Sequence, residues 1–208
     1  MQETSENIEA FDHRAINEVS EIFMDQLPED FCSLMGPRFL RKHFLPHFLN
    51  TNPHIGYVAK HQGKVTGFIL GGRAKGYYSD FIKHHFMALA SYSLMACFHD
   101  IRRIKYFIDV EQVMYGSDAF HPREYDLELL YISVAGSNQS AGVGSQLVKK
   151  LMENGRQYGF DRCVVKTFAN SEIANLFYRN CGFEPLHHNR GRIWYSNSLP
   201  PENKGLTT

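Results

Sequence analysis

Apolar positions recur at helical spacing early in the chain. Ile16, Val19, Phe23 and Leu27 predict a helix over residues 12–27. Leu34, Phe39, Phe44 and Phe48, interleaved with basic residues, predict a second helix over 31–48, which "NTNP" ends. The period then shortens to two. Runs at 56–60 and 64–70 flank "HQG" and predict a β-hairpin closed by the double glycine at 71 and 72. Residues 73–125 are mostly helical in pattern, rich in Tyr, Phe and His, and end in the loop-like "GSDAFHPREYD". "LELLYISV" predicts a strand over 127–134, and Val143, Leu147, Val148, Leu151 and Met152 form the apolar face of a helix reaching residue 158. "RCVVKTF" predicts a strand over 162–168. A helix over 171–181 follows, with Gly182 where a C-cap glycine belongs, and two short strands close the chain near 183–187 and 192–196. The order is ααββ, an insertion, then βαβαββ, which makes this a mixed α/β chain.

Composition narrows the function classes. The 208 residues suit one domain over 1–208 with an elaboration at 73–125. Lys plus Arg and Asp plus Glu stand at 22 each, so no general nucleic-acid binder is expected. Cys32, Cys97, Cys163 and Cys181 form no CxxC pair and no zinc-type spacing, so no metal is expected. The polar, acidic start "MQETSENIEAFDHR" is unlike a secretory signal, and free thiols in a reducing cytoplasm are the expectation. In 81–98 the uninterrupted apolar part, 86–98, is about 13 residues, short of the ~20 that cross a bilayer. It predicts a buried or half-buried helix and no stable membrane insertion. A surface that meets a lipid or a partner is the alternative.

The chemistry-bearing stretch is "SVAGSNQSAGVGSQLVKKLM", residues 133–152. Gly142 and Gly144 lie where a strand hands over to a helix. The first N–H groups of a helix lack internal partners, and its dipole adds partial positive charge there. This reads as an anion site, most plausibly for a pyrophosphate, against the plainer reading of an ordinary strand–turn–helix junction. No Lys-Ser/Thr pair follows the last glycine, so the Walker pattern fails. The dinucleotide fingerprint fails because position 147 is Leu.

"QSAGVG", Gln139 to Gly144, has the form Q/R-x-x-G-x-G/A. Downstream, "SEIANLFYRNCGF" runs from Ser171 to Phe183. Together they resemble the two ordered signatures of the GCN5-related N-acetyltransferase (GNAT) family. The second signature usually starts with Asn; here that place holds Ser171, and Asn170 sits one position early. The resemblance covers 56–70 and 127–196 well and the N-terminal helices loosely. It implies a splayed mixed central sheet flanked by helices, with a helical insertion before the cofactor-binding strand. It also implies acetyl-CoA as co-substrate. The backbone of Ile132 to Val134 would pair with the pantetheine arm, with an N–H near Ile132 polarising the thioester carbonyl. The N–H groups from Ala141 through Gly142, Val143 and Gly144 to Ser145 would hold the pyrophosphate, and Gln139 would buttress their loop. Ser171 or Asn175 would substitute for the missing asparagine.

Two proton-handling residues follow from the same resemblance. Glu128 is the candidate general base, with Asp126 as its rival; strand alternation puts Glu128 on one face with Leu130, Ile132 and Val134. Tyr178 is the candidate acid at the CoA sulfur, against a plainer role in core packing. Lys149, Lys150 and Arg156 read as a solvated face, with contact to CoA phosphates as the alternative. The pairs His84/His85 and His187/His188 are expected by chance among 11 histidines, and Cys181 reads as a packed residue. The acceptor would be the primary amine of a small molecule, at a site formed by the first helices, the insertion and the last strands. A softer likeness to acetyltransferases of bacterial surface-polysaccharide loci suggests an amino sugar. A protein or peptide acceptor and a non-catalytic acyl-CoA-binding module are the alternatives, and a homodimer is left open.

Overall fold

The structure is a computed structural model that describes residues 7–51, 54–99, 122–139, 142–189 and 191–199. Seven strands form one sheet in the order β1-β2-β3-β4-β5-β7-β6. They are β1 (Asn7–Ala10), β2 (His54–His61), β3 (Lys64–Arg73), β4 (Asp126–Val134), β5 (Arg162–Phe168), β6 (Glu184–Asn189) and β7 (Arg192–Ser198). The helices are α1 (Ile16–Gln26), α2 (Phe31–Met35), α3 (Pro37–Phe39), α4 (Leu45–Asn50), α5 (Tyr77–His99), α6 (Val143–Gln157) and α7 (Glu172–Asn180).

Most predicted elements form where the periodicity put them. The hairpin of β2 and β3 turns on Gln62 and Gly63, both at positive φ, as a tight hairpin turn with right-handed strand twist requires. The predicted second helix is broken into pieces. Asp30 caps α2, Gly36 stops it at φ 92°, Pro37 starts the next turn, and a wide π-type turn over Leu40–Phe44 joins α3 to α4. The edge strand β1 was not expected. Its sequence NIEA alternates polar and apolar but is only four residues long, and it forms through backbone pairing with β2.

Two apolar clusters cover the two faces of the sheet. One gathers Phe23, Phe39, Phe44, Phe48 and Phe68 from α1 to β3 with Tyr77 and Phe81 of α5. The other gathers Leu127, Leu129, Leu147, Leu151, Cys163, Tyr178 and Tyr195 under α6 and α7. Each fully buried large side chain contributes ~1.5–3 kcal/mol relative to exposure. Helix α5 leaves helical geometry at His85. Before that kink it buries Tyr77 and Phe81; beyond it Phe86, Met87, Leu94, Met95 and Phe98 are exposed. Leu89 and Tyr92 of the second part still pack against the first cluster and Ala96 is buried, so the helix is half-buried on both sides of the kink, as expected for 81–98. Among the described residues no helix is long and apolar enough to cross a membrane. The remainder of the insertion, 100–121, lies outside the described residues.

One irregularity matters for chemistry. Opposite β4, Leu70 pairs with Tyr131 and the next residue, Gly71, pairs with Leu129, so Leu130 is an extra residue in a β-bulge. The bulge resets the alternation. Leu127 and Leu129 pack in the α6–α7 cluster, Leu130 and Tyr131 pack against the α1–α5 cluster, and Ile132 and Val134 return to the α6–α7 side. Glu128 therefore does not share a face with Ile132 and Val134, as simple alternation predicts.

Candidate active site

Strands β4 and β5 are parallel neighbours, but their pairing covers only Asp126↔Arg162, Leu127↔Cys163 and Glu128↔Val164. Beyond Glu128 they diverge. A cleft of about 790 Å³ opens between them, lined by β4 from Glu128 to Val134, by the start of α6 and by α7.

The glycine turn stands at one end of this cleft. Gly142 is the N-cap of α6 at φ 77°, and a Cβ there would meet nothing within 4 Å, so it faces open space. Gly144 does a different job. A Cβ there would lie 3.1 Å from the Phe177 ring, so its missing side chain admits α7, not a ligand. Val143 buries its side chain, whereas Ser145 is exposed and lines the cleft. Ala141 lies outside the described residues. The amide of Gln139 donates to the carbonyl oxygens of Val134 (3.2 Å) and of the Gln26 side chain (2.7 Å), tying the loop to β4 and to the end of α1. Ile132 and Val134 line the cleft on the strand edge that β5 has left.

Glu128 and Tyr178 reach the cleft from opposite sides of the sheet. Glu128 is 6% exposed, and no described residue hydrogen-bonds its carboxylate. Burial raises its pKa from the ordinary 4.5 to about 7, and nearby Lys166 opposes that rise only partly. A carboxylate poised near neutrality suits proton abstraction. Its rival Asp126 is buried in a two-bond pairing with Arg162, at 2.6 and 3.0 Å, and does not line the cleft. Tyr178 belongs to the α6–α7 cluster, with rings of Phe177, Phe183 and Tyr195 around it, and still lines the cleft. Burial pushes its phenol well up, so it is held protonated.

The second signature divides differently from expectation. Ser171 caps α7 without a side-chain cap bond and lines the cleft. Asn175 is occupied elsewhere. Its amide donates to the carbonyls of Phe168 (3.2 Å) and Ala169 (3.0 Å), and its oxygen accepts from Tyr195 (3.0 Å). It fastens the turn between β5 and α7 and is absent from the cleft wall.

Strands splayed beside a glycine-started helix agree with the family-level comparison. The model of the acetyltransferase (GNAT) family matches residues 16–183. The chain belongs to the GNAT family. GNAT members are acyl-CoA-dependent acetyltransferases, and this chain has their mixed sheet flanked by helices. An N-acetyltransferase from Staphylococcus aureus Mu50 has a similar solved structure, with TM-score 0.60 and 15% identity over 94% of this chain and 99% of that one. A ribosomal-protein-alanine N-acetyltransferase from Brucella melitensis matches with TM-score 0.60 and 15% identity over 93% of this chain and 99% of its own. A GNAT-family acetyltransferase from Streptococcus pneumoniae gives TM-score 0.57 and 14% identity over 94% and 100%. At such identities the likeness is one of fold. No curated protein sequence matches the chain significantly.

The remaining candidates lie away from the GNAT cleft. Lys149, Lys150 and Arg156 do not line it; Lys150 sits 5.9 Å over the Tyr57 ring. Cys181 is half-buried, its thiol raised by burial and 3.8 Å from the Ser145 hydroxyl, which does not describe a nucleophile. His187 and His188 are on β6. His84 and His85 are not an isolated pair, because α5 brings them to His43 and His47. His85 Nε2 is 3.3 Å from His47 Nδ1, and the His43 and His85 ring centres are 5.4 Å apart. Nothing in the spacing of 43, 47, 84 and 85 announced that cluster. Among the described residues no three His, Cys, Asp or Glu side chains are arranged to hold a metal. The sequence reading also missed Asp30, Tyr78 and Tyr131, which line the cleft on the Glu128 side. They come from three separate elements, and only the folded sheet assembles them.

Proposed function

We propose that this GNAT protein transfers the acetyl group of acetyl-CoA directly to the primary amine of a small molecule, with Glu128 as general base and Tyr178 as general acid. The observation that carries the reading is the placement of Glu128 and Tyr178 on opposite faces of the sheet, lining one cleft. Acetyl-CoA, when bound, supplies an activated thioester at that gap.

The residues have distinct tasks. The unpaired N–H groups at the start of α6, from Val143 to Ser145, face a turn whose Gly142 leaves open space, which fits a pyrophosphate. The β4 edge at Ile132 and Val134 offers backbone groups to an extended arm, and the Ile132 N–H polarises the carbonyl under attack. An alkylamine of pKa near 10.4 pays roughly 4–5 kcal/mol to be neutral at pH 7, so proton removal is the harder step. Glu128 takes that proton on the α1–α5 side. Tyr178 gives one to the departing sulfur on the α6–α7 side. The cytoplasm, where acetyl-CoA meets reduced thiols, is the corresponding compartment.

The test is thiol release from acetyl-CoA against amino sugars, polyamines and peptides. Amine-dependent release with a small molecule supports the reading. Release with peptides alone moves the acceptor to a protein, and binding of acetyl-CoA without release by any amine reduces the chain to an acyl-CoA-binding module.

A further inference from the structure

The Glu128 end of the cleft holds a second carboxylate. Asp30 closes the loop between α1 and α2 and caps α2. Its Oδ1 accepts from the Cys32 N–H at 2.9 Å and, at 3.5 Å, from the Tyr131 hydroxyl. The Cys32 thiol also bonds the Asp30 carboxylate. Both carboxylates line the cleft, and no ion pair joins either to a cation among the described residues. Lys166 and Arg192 supply the nearby positive charge, Lys166 above the Trp194 ring and Arg192 above the Phe168 ring. Burial outweighs both cations. It moves the Asp30 carboxyl up to about 6 and that of Glu128 to about 7. Two under-compensated carboxylates in a partly dry cleft are held ionised by a cation brought in from outside.

The aromatic lining near them narrows the choice. Tyr78 of α5 and Tyr131 of β4 both line it. The Tyr78 phenol is pushed up by its burial, and both Glu128 and Asp30 add to the rise, so it lies within electrostatic reach of each. Aromatic rings sharing a cleft with two carboxylates suit an alkyl chain with a cationic nitrogen at each end.

We propose that Asp30 is a specificity-determining residue that anchors a second ammonium of the acceptor, so that the acceptor class is an extended diamine with its reacting nitrogen at Glu128. The proposal rests on the acetyl-transfer reading of the cleft. It separates this acceptor from a monoamine such as an amino sugar. A single ammonium satisfies only one of the two carboxylates.

The experiment compares kcat/KM of the full chain for 1,4-diaminobutane with that for butylamine and glucosamine, acetyl-CoA being saturating. The expected preference for the diamine is about tenfold or more, the scale of one charge-assisted hydrogen bond. Asp30→Asn keeps an oxygen to cap α2. It should cut the diamine-to-monoamine ratio about 10–100-fold, through KM and not kcat. Asp30→Glu should recover part of the ratio. Equal use of diamine and monoamine by the wild type, or an equal loss for both in Asp30→Asn, overturns the proposal. If no amine is turned over, calorimetric titration of 1,4-diaminobutane decides. Binding weakened by Asp30→Asn keeps the anchoring role and sinks acetyl transfer, whereas no binding to the wild type overturns the anchor.

Discussion

Glu128 and Tyr178 line one cleft from opposite faces of the same sheet. Glu128 alternates with Leu127 and Leu129, which pack under α6 and α7, so its own side chain turns to the α1–α5 side. Tyr178 packs with Leu127 and Leu129. Only because β4 and β5 part company beyond Glu128↔Val164 do the two groups share a space. A proton acceptor on one side of a gap and a proton donor on the other would serve the proposed attack of an amine on a thioester.

Tyr178→Phe should lower turnover by about 10²-fold, at the small end of general-acid effects, with acetyl-CoA affinity unchanged. The ring keeps its contacts with Phe183 and Tyr195, so a large fall in melting temperature is not expected. Paired steady-state kinetics and calorimetry check this. A loss confined to affinity would assign Tyr178 to binding.

The two glycines of the turn should fail in different ways. Gly142→Asn tolerates the left-handed φ and should retain most CoA affinity, whereas Gly142→Asp adds like charge and should lose about tenfold or more. Gly144→Ala forces a Cβ to within 3.1 Å of Phe177 and should cost ~1–3 kcal/mol of stability by overpacking. Calorimetry and denaturant unfolding separate the two effects. Equal affinity in Gly142→Asp and Gly142→Asn would remove the anion from this turn.

Glu128 should also mark the stability of the fold. Its carboxyl is raised from 4.5 to about 7, so the folded state holds the proton more tightly than the unfolded chain. Its favourable contribution is complete below about pH 4.5 and is lost as pH rises through about 7. Glu128→Gln should then be more stable than wild type at pH 8, by up to about 3 kcal/mol, and equal to it near pH 4. Urea unfolding at the two pH values measures this. A variant that is less stable at pH 8 would show that Glu128 has a partner stabilising its charge.

The histidine cluster carries the opposite sign. The His47 side chain is 10% exposed, its Nε2 is buried without a hydrogen-bond partner, and Asp80 lies 3.9 Å away. Burial and then the neighbouring His85 lower its pKa, with Asp80 opposing and His84 adding to the fall. His43 and His85 are lowered as well, each first by burial; Lys42 and His85's neighbours His43 and His84 add to it. Groups lowered in the folded state cost stability as pH falls below the unfolded value of about 6.5. His47→Phe should therefore lose less melting temperature than wild type between pH 7.5 and 5.5. Parallel losses would mean that the cluster does not titrate with folding.

The order of strands and helices was readable because α6 keeps a clear apolar helical stripe and β3, β4 and β5 are short, largely buried apolar runs. What escaped depended on long-range structure. The bulge at Leu130 has no signature in "LELLYISV", yet it reverses the face that Ile132 and Val134 occupy relative to Glu128. Strand β1 is only four residues long, too short for its alternation to announce a strand, and it forms through backbone pairing with β2. Asn175 looked available because it lies within the second signature near Ser171; its bonds to Phe168, Ala169 and Tyr195 arise only once β5, α7 and β7 meet. Asp30 carries no motif in the sequence, and its place on the same cleft as Glu128 depends on how the start of α2 is set against β4.

The most direct measurement is the pH–rate profile of amine-dependent thiol release for wild type and Glu128→Gln. The account predicts that wild-type turnover rises with pH through about 7, as Glu128 loses its proton. It also predicts that Glu128→Gln is slower by about 10²–10⁴-fold at pH 7 and recovers as alkali frees the amine. Identical profiles with full activity in the variant would contradict the assignment of Glu128 as the base.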